Sequence, residues 1–155
     1  MKAKNTFIGK YKLISIFILS LLYINVGITH FTNPGFFLVI VPDYMPYHLF
    51  LVYVSGFFEI ILGLLLLFKK TRKYAGIGLV ILLILVFPAN IFLYQSEEAQ
   101  SVYEISKNKA FIRMFFQFPL ILLAYWHSIS KKYKYLDILC AIIFIPTIVY
   151  FISLA

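Results

Sequence analysis

Five stretches of almost unbroken apolar residues, at 13–29, 47–68, 74–94, 111–129 and 136–154, constrain this chain more than any other feature. A hydrocarbon layer about 30 Å thick is crossed by about 20 apolar residues in a helix that rises about 1.5 Å per residue. Lipid offers backbone amides no hydrogen-bond partners, so each run has to satisfy its own, and a helix does this. A closed β-barrel would instead alternate polar and apolar residues in segments of about ten. The run Ile60-Ile61-Leu62-Gly63-Leu64-Leu65-Leu66-Leu67 shows no such alternation. The expected fold class is therefore an all-α membrane protein, a transmembrane helix bundle forming a single domain over residues 1–155. Composition agrees: 63% of the 155 residues are hydrophobic and 13% charged, against about 25% charged in soluble domains.

The formal charge of +8 raises nucleic acid and anionic lipid as partners, and the placement of the cations separates the two. Lys2, Lys4, Lys10 and Lys12 precede the first run, Lys69, Lys70, Arg72 and Lys73 follow the second, and Lys131, Lys132 and Lys134 follow the fourth. With five spans these eleven fall on one side, and only Lys107, Lys109 and Arg113 on the other, beside Asp43, Glu97, Glu98 and Glu104. Such a bias places the N-terminus in the cytoplasm and the C-terminus outside. The clusters read as topology signals with a secondary attraction to anionic lipid. No nucleic-acid partner is expected, since the clusters are short and nothing else points to one.

A single cysteine, Cys140, excludes an intramolecular disulfide, a redox thiol pair and a thiolate metal cage. The first run leads into His30-Phe31-Thr32-Asn33-Pro34 instead of a small-residue cleavage site, so it is expected to remain in the protein. Between Pro34 and Pro46 the apolar stretch Phe36-Phe37-Leu38-Val39-Ile40-Val41 is too short to span. It is expected to lie in the interface at 34–46 and to cover the mouth of the bundle. Pro146 interrupts the fifth run.

Polar residues inside the runs carry the functional information, because a charge at the bilayer centre costs at least about 2.5 kcal/mol on insertion scales. Glu59 sits twelve residues beyond Tyr47, about 18 Å along a helix and hence near mid-membrane. Ser55, Glu59 and Gly63 recur at helical spacing and share a face that has to point inward. Asn90 and Gln117 lie at comparable depth, Arg113 stands one turn from Gln117, and His30 closes the first run. These residues define an expected polar pocket of Glu59, Asn90, Arg113, Gln117, His30 and Ser55, with Arg113 as partner of Glu59 and a kink at Pro88. Trp126 and His127 are expected to anchor the other end of the fourth helix at the interface. No metal site and no phosphate loop or nucleophile triad is evident in the sequence.

The order of these residues resembles the DoxX-like family of small bacterial membrane proteins. The resemblance rests on His30-Phe31-Thr32-Asn33-Pro34-Gly35-Phe36, Val41-Pro42, Val52-Tyr53-Val54-Ser55-Gly56-Phe57-Phe58-Glu59, Val86-Phe87-Pro88-Ala89-Asn90, Arg113, Gln117 and Trp126. It covers residues 13–129 and departs from the family at Phe115, where relatives often carry Pro, and in the added fifth span. It implies a four-helix core in the bacterial inner membrane. In some relatives it implies association with quinone-linked or sulfur-compound oxidoreductases. Three functions stay open on this reading. One is a non-catalytic auxiliary subunit that binds a quinone or similar amphipathic ligand beside Glu59. Another is a proton-coupled carrier with Glu59 as proton site, and the last is a purely structural bundle.

The charge bias yields a direct test. Alkaline phosphatase fused after Ala155 in a bacterial host is expected to be active, and an inactive fusion that accumulates normally would reverse the orientation or remove the fifth span.

Overall fold

The computed structural model describes residues 7–153. Lys2 and Lys4 of the basic N-terminal group, and Leu154 at the end of the fifth run, lie outside the described residues. Every regular element among those described is helical: α1 (Phe7–Thr32), α2 (Pro34–Leu38), α3 (His48–Leu67), α4 (Arg72–Leu85), α5 (Phe87–Gln95), α6 (Glu97–Val102), α7 (Lys107–Ser128) and α8 (Lys134–Ile152). Five helical units are long and apolar enough to cross a membrane: α1, α3, α4 with α5, α7 and α8. The chain is an all-α, multi-pass membrane bundle.

The helix ends follow from local chemistry. Ser106 caps α7, its hydroxyl accepting from the Lys109 amide, and Ser96 caps α6 through the Ala99 amide. The third span turns at Val86, with Pro88 in the first turn of α5, which is the break expected from a residue without an amide proton. Pro146, by contrast, leaves α8 continuous. Thr71 and Arg72 close the α3–α4 connection by donating to the last carbonyls of α3, which have no helical partner of their own.

The spans pack as a ring, α1 against α3, α3 against α4, α4 against α7, α7 against α8 and α8 back against α1. Leu19, Leu66, Leu79, Leu123, Trp126 and Phe144 fill its centre. Two contacts are close enough to require small residues. A Cβ on Gly56 would stand 2.4 Å from the His30 Cβ and 2.9 Å from the Gly27 carbonyl oxygen, and one on Gly76 would stand 2.8 Å from the Ala124 carbonyl oxygen. Backbones that approach this far gain dispersion contact, which in lipid replaces the hydrophobic drive as the cohesive term. Outward-facing side chains such as Phe17, Phe57, Ile84, Phe118 and Ile142 are exposed, as a lipid-facing surface requires.

At the basic end of the bundle lie the starts of α1, α4 and α8. The opposite end is closed by a second apolar cluster of Ile40, Leu93, Ala99, Tyr103 and Ala110, with Phe36 and Val39 packed against it. The apolar stretch around residues 36–41 thus forms a short helix and turn laid over that end, not a span.

Candidate functional site

The expected pocket resolves into two polar groups on different helix interfaces. No hydrogen bond or ion pair joins them among the described residues. The first lies between α1 and α3. Gly56, Glu59 and Gly63 form the face of α3 that meets α1, and Ser20, Tyr23, Gly27 and His30 form the facing stripe. Because Gly27 and Gly56 let the backbones nearly touch, the Glu59 side chain is held within the interface with 12% of its surface exposed.

His30 Nδ1 stands 3.4 Å from Glu59 Oε2 and also lies 3.2 Å from the Val26 carbonyl oxygen. Phe37 of α2 stacks on the imidazole with ring centres 3.6 Å apart, covering it from the end of the bundle. Tyr23 is buried on the same face of α1, one turn from Gly27. Despite this company, Glu59 Oε2, the Tyr23 hydroxyl and the Ser20 hydroxyl are buried without a hydrogen-bond partner. A buried polar atom left in this state costs about 1–3 kcal/mol, and three of them share this interface.

The second group forms a continuous chain of hydrogen bonds. Arg113 Nε donates to Asn90 Oδ1 at 3.2 Å, Asn90 Nδ2 donates to Gln117 Oε1, and Gln117 Nε2 donates to the Leu83 carbonyl oxygen at 2.6 Å. A guanidinium can only donate and a carbonyl can only accept, so the two ends of this chain fix the orientation of both amides. Leu83 is in the last turn of α4, where carbonyls lack helical partners, so the break at Val86 supplies the acceptor. Arg113 also lies over the Tyr103 ring, 5.1 Å from its centre. Burial pushes the Tyr103 phenol above its usual pKa, while the neighbouring Arg113 pulls it down.

Several sequence expectations are therefore refined. Arg113 does not reach Glu59; His30 does, because the glycine contact brings α1 against α3. Ser55 donates to the Val52 carbonyl of its own helix and stands beside the close-packed face rather than on it. Trp126 and His127 are not interfacial anchors. Both are fully buried, Trp126 Nε1 donating to Asp137 Oδ1 at 2.7 Å and His127 Nε2 standing 2.9 Å from Ser15 Oγ. Sequence reasoning missed Ser20 and Tyr23, although their spacing with Gly27 and His30 puts all four on one face of α1.

Comparison with known proteins adds one relation. The model of a family described as a domain of unknown function (DUF8561) matches residues 19–128, a stretch that contains both polar groups and stops before α8. No curated protein and no solved structure matches the chain.

The two groups make opposite demands on a double-mutant cycle read from unfolding in detergent. Asn90→Leu with Gln117→Leu is expected to show coupling of about 0.5–2 kcal/mol, the range of polar contacts between membrane helices. Glu59→Gln with Arg113→Gln is expected to show none, and clear coupling there would merge the two groups.

Proposed function

The chain belongs to the DUF8561 family, and from the geometry above we propose that it is a non-catalytic, ligand-binding membrane protein. On this reading it holds the polar head of a small amphipathic ligand at the Glu59 interface and serves as an auxiliary subunit of a membrane redox system. The observation that carries this reading is the set of three buried, unpartnered polar atoms, Glu59 Oε2, the Tyr23 hydroxyl and the Ser20 hydroxyl, on one helix interface. A head that both donates and accepts hydrogen bonds satisfies such a set. The Tyr23 and Ser20 hydroxyls can donate to a carbonyl, and Glu59 can accept from a hydroxyl. A quinone offers the carbonyl and its quinol the hydroxyl, on an apolar tail that suits the surrounding Phe and Leu side chains, and the couple supplies two-electron redox chemistry when bound.

Kinship with DoxX-like proteins belongs to the same proposal. It is supported by the order of His30, Glu59, Asn90, Arg113 and Gln117 along the chain, and it would place membrane oxidoreductase subunits among the partners. The charge bias supports a bacterial inner-membrane location with the N-terminus in the cytoplasm and the C-terminus outside. A second reading, a proton-coupled carrier, is favoured by the 3.4 Å approach of His30 to Glu59, which puts two titratable side chains side by side within the bundle.

Lipid and quinone extracts of purified wild-type protein and Glu59→Ala, analysed by mass spectrometry, separate these readings. The wild type is expected to carry a quinone or similar isoprenoid enriched over bulk membrane, reduced at least tenfold in the variant. Absence of any enriched species from both extracts would remove the ligand reading. Solute uptake into proteoliposomes driven by a proton gradient and lost in Glu59→Gln would then establish the carrier.

A further inference from the structure

We propose a second binding site at the basic end of the bundle, for a phosphate group presented either by a phospholipid or by a soluble phosphate compound. A cleft of about 510 Å³ opens there between the starts of α1, α4 and α8, a volume within the usual range for small-ligand sites. Its walls carry seven Lys and Arg side chains, drawn from three separate stretches of chain, and one carboxylate, Asp137. That carboxylate is already engaged, since Asp137 Oδ1 accepts from buried Trp126. Among the described residues, Lys69, Lys73, Lys131 and Lys134 have no ion-pair partner. Topology signalling needs cations on this side of the membrane, but it does not need them to converge on a cavity.

The floor of the cleft is built and rigid. Lys12 Nζ donates to the Ile129 carbonyl at 2.8 Å and lies over the Trp126 ring, 5.0 Å from its centre. Arg72 is fixed by bonds from Nε and Nη2 to the Leu66 and Leu67 carbonyls. Two cations are thus held in place before any ligand arrives, which lowers the ordering cost of binding.

His127 lines the same cleft at 1% exposure. Ser15 has one hydroxyl proton, and it goes to the Lys12 carbonyl at 2.9 Å, so His127 Nε2 is the donor in the bond to Ser15. His127 Nδ1, left without a partner, is then an acceptor and offers no donor to a phosphate, so anion binding falls to the cations around it. The helix starts at Arg72 and Lys134 have no side-chain cap, so their free amides and the positive ends of their dipoles add to the attraction for an anion. Preorganised cations and uncapped helix starts converging on one cleft together favour a phosphate over a diffuse layer of counterions.

The test uses the full chain in phosphatidylcholine nanodiscs, with phosphatidylglycerol added in one arm and inorganic phosphate in the other. The triple variant Lys69→Gln, Lys73→Gln, Lys131→Gln removes exposed cations that hold no structural contact. Lys107→Gln with Lys109→Gln serves as the control from the opposite end. Native mass spectrometry after release from the nanodisc is expected to retain one phosphatidylglycerol on the wild type and on the control. The triple variant is expected to lose at least tenfold of that occupancy. Thermal stabilisation by inorganic phosphate that disappears in the triple variant, without lipid retention, would assign the site to a soluble phosphate compound. Lipid retention and phosphate response that are both the same in wild type and triple variant would overturn the proposal, as would an equal loss in the control pair.

Discussion

The approach of α1 to α3 at Gly27 and Gly56 decides where the polar chemistry of this protein resides. With no side chain at either position the two backbones come within contact distance, and Glu59, one turn along α3, is carried into the interface with His30 and Tyr23. Had larger residues separated the helices, a carboxylate at this depth would face lipid tails, which no insertion cost permits cheaply. The same approach explains why His30, and not the more distant Arg113, is the neighbour of Glu59.

Lipid enforces a rule that soluble proteins can evade: a polar atom at depth either finds a partner in the bundle or waits for one. Both outcomes occur here. The chain from Arg113 through Asn90 and Gln117 to the Leu83 carbonyl closes on itself and serves as helix glue, tying α5 and α7 across the break at Val86. At the other end Ser15, His127, Trp126 and Asp137 lock α1, α7 and α8 together. Of the five buried side-chain atoms without a hydrogen-bond partner among the described residues, three share the Glu59 interface, while the Tyr103 hydroxyl and His127 Nδ1 stand singly toward the two ends. That concentration on one interface is what supports the proposal of ligand binding at Glu59 and of a structural part for Gln117.

The spans were legible because bilayer thickness translates directly into a count of apolar residues; each of the five runs is helical, the third broken into α4 and α5, and α1 starts six residues before the run at 13–29. The break near Pro88 was legible because proline lacks an amide proton, and the segment at 34–46 was legible as too short to span, though not that it starts with the short helix α2. Side-chain partners were not. Helical periodicity placed Glu59 on an inward face but could not say which helix it would meet, because that depends on the Gly27–Gly56 contact, a pairing of two positions far apart in sequence. Trp126 and His127 were misjudged because a Trp and a His near a helix end usually mark the interface. Asp137, the partner that draws Trp126 inward, stands beyond the loop and belongs to a different span. The single acid among eleven basic residues was the available signal.

The central claim is that the unsatisfied atoms at the Glu59 interface meet a ligand rather than one another. A high-resolution density map of the wild-type protein in nanodiscs of native lipid tests this most directly. Non-protein density within hydrogen-bonding distance of Glu59 Oε2 and the Tyr23 hydroxyl, extending into a tail between α1 and α3, is the expected result. Side chains filling that space, with the Tyr23 hydroxyl donating directly to Glu59, would contradict it.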